Sequence, residues 1–151
     1  MSVTHYNERV KSEYRTLVVA FFNAIENNFA DRELSAELLL NMIQNKGLSQ
    51  RDSLTADWLR ARVYQPDKYA NLPLWLAKAA YFCLLDIEGW TPTKDSEWFA
   101  MTALFVSEQG GQNPDYDHLA KQLPVNLQGS EGEKWLEICI LEIVKIQESR
   151  G

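Results

Sequence analysis

Two cysteines and two histidines are all the thiol and imidazole side chains that these 151 residues hold, and that scarcity narrows the chemistry at once. Cys83 and Cys139 each sit inside an apolar helical run, with no C-x-x-C spacing and no histidine beside them. That pattern suggests neither a metal site nor a disulfide framework; it predicts buried free thiols. His5 lies near the N-terminus, and His118 near the start of a short helical stretch beside Asp115 and Asp117. A metal needs more convergent ligands than these, so the second group reads as a solvated cluster whose carboxylates favour the positive end of a helix dipole. The chain has no G-x-S-x-G, no H-E-x-x-H, no phosphate-binding or dinucleotide glycine fingerprint and no EF-hand loop. No catalytic residue, metal or cofactor is therefore expected. Acidic pairs such as Glu33 with Glu37 or Glu131 with Glu133 read as charges on helix faces and caps, not as acid–base carboxylates held in a cleft.

Long apolar runs are also missing. The most apolar stretch, Leu72–Leu85 (LPLWLAKAAYFCLL), is shorter than the roughly 20 residues a membrane span requires, and it carries Lys78. The opening MSVTHYNERVK lacks the apolar centre of a signal peptide, and no N-x-S/T sequon occurs, so a reducing cytoplasm is the expected setting. Glycines number seven and prolines five, and they fall between periodic segments. The formal net charge is −6, which argues against broad, non-specific contact with nucleic-acid phosphates.

What is present is hydrophobic, at 46% with five tryptophans, enough for a packed core in a chain of one-domain length. The 72–85 stretch predicts a buried central helix. Asn71 is its expected N-cap, Pro73 lies in the first turn and Gly89 beyond its end. Residues Trp98–Val106 carry no charge and follow across the turn-rich WTPTKD loop. The two are expected to form an antiparallel hairpin at the centre of the fold.

Around them the spacing predicts further helices. Val10, Tyr14, Leu17, Phe21 and Ala24 mark one from about Thr4 to Asn27. Leu34, Leu38, Leu39, Met42 and Ile43 mark a second, ended by Gly47. A third begins with Ser49 as N-cap, carries Leu54, Trp58, Leu59 and Val63 inward, and stops at Pro66. A short helix spans PDYDHLAKQL. The last begins at a Ser130/Glu133 capping box before Trp135, Leu136, Cys139, Ile140, Ile143 and Val144. The fold class is all-α: a single compact bundle of about seven helices, with no strand, no repeat and no linker marking a second domain.

One segment departs from the acidic average. Between Trp58 and Lys78 the charges are Arg60, Arg62, Lys68 and Lys78 against Asp67 alone, with Tyr64, Tyr69 and Trp75 interleaved. Arginine with aromatics is the composition of interface hot spots and of single-strand nucleic-acid platforms. Against that stands the ordinary alternative, in which Arg60 and Arg62 form the wet side of an amphipathic helix and Trp58 and Trp75 belong to the core. A second candidate is the side of the central helix bearing Trp75, Lys78 and Phe82; Trp90, after Gly89, is a third.

The leading expectation is a non-enzymatic helical protein–protein interaction protein, in the manner of a small acidic cytosolic inhibitor, an immunity-type protein or an accessory subunit. The alternative is a subunit that contacts RNA or single-stranded DNA through the Arg60–Lys78 segment. Third comes a small-ligand binder or enzyme with an interhelical pocket.

Overall fold

The computed structural model describes residues 3–29, 32–51, 53–110 and 113–150; the side chain of His5 lies outside the described residues. Among them the chain is all-helical, without a strand. Its helices are α1 (Val3–Ser12), α2 (Tyr14–Phe29), α3 (Arg32–Lys46), α4 (Ala56–Tyr64), α5 (Leu74–Leu85), α6 (Asp95–Gln109), α7 (Tyr116–Ala120) and α8 (Ser130–Arg150), with a 3₁₀ turn at Val125–Leu127. Their contacts group into two units, residues 14–90 and residues 1–13 with 91–151.

In the first unit α5 is the most thoroughly covered helix. Leu76, Ala77, Ala79, Ala80, Tyr81, Cys83 and Leu84 are all buried, with α2 and α3 supplying the cover, and Trp75, Lys78, Phe82 and Leu85 form its half-exposed side. It begins two residues later than its apolar run. Pro73 disfavours helical backbone at Leu72, and Pro73 itself becomes the extended N-cap, its carbonyl accepting from the N–H groups of Leu76 and Ala77. Helix α3 ends as its sequence predicts. Gly47, at φ +61°, turns the chain, its N–H donates to the Gln44 carbonyl and that of Leu48 to the Ile43 carbonyl, which closes a Schellman motif.

The start of α4 and the continuity of the first helix both depart from the spacing. Ser49 does not open α4; its hydroxyl accepts from the Arg51 N–H in a local turn, and Thr55 caps the helix instead, accepting from the Trp58 N–H at 3.1 Å. The predicted first helix is two helices. The Ser12 hydroxyl donates back to the Arg9 carbonyl at 2.7 Å, and the Glu13 N–H bonds three residues back to Val10, so the last turn of α1 tightens and the chain breaks at Glu13.

In the other unit α6 is buried from Trp98 to Val106 and packs on α8; α1 touches both and α7 leans on α8. Tyr6 meets Phe99 edge-on at 6.0 Å, and Phe99 meets Trp135 at 6.3 Å. Burial, with Cys139 beside it, raises the Tyr6 hydroxyl pKa above its ordinary value. The β-branched α8 is a helix, but its cap lies one residue earlier than the capping box implies. The first intrahelical bond runs from the Glu133 N–H to the Gly129 carbonyl, so Gly129, at φ +109°, is the N-cap and Ser130 the first helical residue. No helix among the described residues is long and apolar enough to cross a membrane.

The first turn of α8 is pressed against the 3₁₀ turn. A Cβ added at Gly132 would stand 1.6 Å from the Leu127 carbonyl oxygen, a backbone atom that cannot swing aside. Gly132→Ala is therefore expected to destabilise the fold by about 3 kcal/mol in urea unfolding, against about 0.5 kcal/mol or less for Glu131→Ala one residue earlier. Equal midpoints for the two variants would show that this packing is looser than described.

Candidate functional site

The site begins with the carboxyl end of α4. The last carbonyls of a helix have no partner within it. Here one guanidinium from α2 supplies the donors: Arg15 Nη1 donates to the Val63 carbonyl at 3.2 Å, and Nη2 to the carbonyls of Arg62 and Tyr69. A cation at this end also opposes the negative pole of the helix dipole. Because Tyr69 lies beyond α4, the same side chain folds the connector back over it. The Tyr69 N–H, bonded to the Gln65 carbonyl at 3.0 Å, completes the turn.

That return places the Tyr69 ring on Arg62. The Arg62 guanidinium lies 3.6 Å from the centre of the Trp58 ring and 4.2 Å from that of Tyr69. Trp58 stacks on Trp75 of α5, with centroids 5.8 Å apart and planes 25° from parallel. Lys68 lies 5.3 Å from Tyr69, and Arg51 lies 4.8 Å from Trp58. Thus Arg62, Lys68, Tyr69 and Trp75 do converge, around Trp58, and both tryptophans are half-buried rather than sealed in the core. Arg51 completes the cluster; it stands seven residues before Trp58, in an irregular segment where helical spacing gives no guide.

The other candidates lie elsewhere. Arg60 bonds Asp57 at 2.7 Å and the Glu33 carbonyl of α3 at 3.2 Å. Tyr64 donates to Glu26 at 2.8 Å and meets Phe22 edge-on. Lys78 is half-buried near Tyr14, where its charge opposes the upward pull of burial on the Tyr14 hydroxyl pKa. Trp90 is half-buried at the end of the turn that begins at Ile87. The α5 face of Trp75, Lys78 and Phe82 divides as well: Trp75 joins the stack, while Lys46 of α3 places its Nζ 4.2 Å over the Phe82 ring.

A second surface of the same unit went unforeseen as a place. Helix α3 carries two apolar columns. Leu39 and Ile43 point into the core, whereas Leu38 and Met42 stay half-exposed. With Phe21, Ile25 and Phe29 of α2, and Cys83 and Ile87 at the end of α5, they line a cleft of about 560 Å³, rimmed by Asn41, Asn45, Asp86 and Glu88. Phe29 is 61% exposed at its edge. The sequence signal was there: Phe21, Ile25 and Phe29 recur every four residues, and α3 has more apolar positions than one buried stripe can use.

The cleft has little chemistry of its own. Burial, reinforced by Asp86, pushes the Cys83 thiol up to about 12, so the sulfur is not a thiolate near neutrality. Among the described residues its lining holds no histidine, lysine, serine or threonine. What it offers is mostly apolar area, with the Asp86 and Glu88 carboxylates at its rim. No family model, curated protein or solved structure matches the chain.

Two measurements check this geometry. Arg15→Met keeps the stem and removes the donors to three carbonyls; it is expected to cost about 3 kcal/mol and to open the 65–71 connector to proteolysis. An unchanged urea midpoint would contradict the clamp. The thiols set an alkaline limit. Cys83 and Cys139 ionise near 9.0 when unfolded and near 12 when folded, so their contribution is complete below pH 9 and is lost as pH rises towards 12. The urea midpoint should fall above pH 9, and less steeply in Cys83→Ala.

Proposed function

We propose that this chain is a non-enzymatic protein–protein interaction protein whose residues 14–90 receive an apolar segment of another protein in the α2–α3–α5 cleft. The observation that carries the reading is the cleft itself: about 560 Å³, with an apolar floor left open beside an exposed phenylalanine. An open apolar surface rimmed by polar groups is the usual form of a docking site for a partner helix. Roles as a small inhibitor, an immunity-type protein or an accessory subunit all fit that mode. A reducing, cytoplasmic setting fits the two free, buried thiols.

A second reading, contact with RNA or single-stranded DNA within a larger complex, draws on Arg51, Arg62 and Lys68 around Trp58, Trp75 and Tyr69. Its weakness is that Arg62 already occupies the space beside the Trp58 and Tyr69 rings where a base would stack.

The leading reading is tested with a fluorescein-labelled, uncharged amphipathic helix of about 18 residues built from leucine, alanine and glutamine. Anisotropy should report binding that weakens about tenfold or more in Met42→Glu and Leu38→Glu, but not in Leu141→Glu on the exposed side of α8. Equal binding by all four proteins would overturn it.

A further inference from the structure

The cleft is electrically one-sided, and that asymmetry bears on what fits it. Its floor is apolar, and among the described residues the two ionisable groups exposed at its rim, Asp86 and Glu88, are both carboxylates and the lining holds no cation. Asp86 is also the C-cap of α5, its N–H returning to the carbonyls of Phe82 and Cys83. The negative pole of the most buried helix of the unit therefore opens onto the same end of the cleft. Helix α3 contributes two neutral amides, Asn41 and Asn45, while its Lys46 is drawn over the Phe82 ring and is not among the described lining residues.

The apolar floor also has a length. Phe21, Ile25 and Phe29 extend along two turns of α2, about 12 Å at 1.5 Å per residue. Leu38 to Asn45 run about 10 Å along α3. Three anchors of a helix at positions i, i+4 and i+7 cover about 10 Å, so the floor matches one short amphipathic helix.

We infer that the occupant is an amphipathic helix of a partner protein that carries a lysine or arginine one turn beyond its apolar anchors, with that cation over Asp86 and Glu88. The inference rests on the proposed role of the cleft and adds the charge of the partner to it. The apolar anchors supply the area, and the carboxylates with the α5 terminus fix which end of the helix points where. Attraction between charges at a rim sets orientation and on-rate more than total affinity, so discrimination between peptides is the quantity to read.

The experiment uses three labelled peptides with the same leucine and alanine face, carrying lysine, glutamine or glutamate one turn past the last anchor, against the full chain. At low salt the lysine peptide should bind about tenfold tighter than the glutamine peptide, and the glutamate peptide weaker than either. In Asp86→Asn/Glu88→Gln the lysine preference should shrink to about twofold, while binding of the glutamine peptide stays within about twofold of wild type. A double variant with the same charge change elsewhere, Glu131→Gln/Glu137→Gln on α8, should keep the tenfold preference; both of its positions are exposed. About 0.5 M salt should compress the difference, because charges at an exposed rim are screened. If lysine and glutamine peptides bind alike and Met42→Glu still weakens both, the charge selection is wrong while the docking cleft stands. If the two double variants lose the preference equally, net charge rather than the rim governs binding and the inference falls. If Met42→Glu changes nothing for any peptide, the cleft reading itself fails.

Discussion

A helix with almost no polar side must be covered on nearly every side, and α5 imposes that demand on residues 14–90. Seven of its twelve residues are buried. Helices α2 and α3 meet the demand along most of its length, with Leu17, Phe21, Leu39 and Ile43 among the buried cover. Where the cover runs out, at Cys83 and Ile87, the apolar surface stays open and becomes the cleft. Core and cleft are thus one apolar continuum. That is why the cleft is floored by side chains such as Phe21 and Ile25, which are themselves almost wholly buried.

Arg15 shows how a charged residue is put to structural use. Its donors reach three carbonyls that α4 and the connector would otherwise leave bare, and the aromatic stack follows from the return it holds. In the arginine-aromatic segment that suggests an interface hot spot, the cations are already paired with partners of the same chain. Arg62 is held between Trp58 and Tyr69, and Arg60 bridges Asp57 and the backbone of α3. Composition alone does not separate a platform that awaits a ligand from one whose rings already carry cations, because both need the same residues.

The all-helical class and the burial of α5 and α6 were legible in the sequence, since periodicity and the absence of charge report directly on what must be kept from water. Gly47 was legible too: a Schellman end is local chemistry, with glycine where φ is positive. Less was visible where one local rule competed with another. Ser49 satisfied the cap pattern but closed its own turn, and Ser12 broke an otherwise continuous helix. The Arg15 clamp joins residues 47 to 54 positions apart, beyond any spacing rule. In the cleft, Leu38 and Met42 could be read as apolar, but only packing determines which of two neighbouring columns on α3 turns inward.

One feature of connectivity shapes how this chain comes into being. The unit that contains α1 is discontinuous: its first thirteen residues are separated from the remainder by the whole of residues 14–90. During synthesis from the N-terminus, the 14–90 unit is complete as soon as Trp90 leaves the ribosome, whereas α1 must wait for α6 and α8 before Tyr6 and Arg9 can meet Phe99. At ordinary translation speeds that wait is on the order of ten seconds. A chain that ends before α6 and has been released from the ribosome therefore holds the whole 14–90 unit and an α1 that has lost its partners in α6 and α8, an orphaned helix for a chaperone to meet.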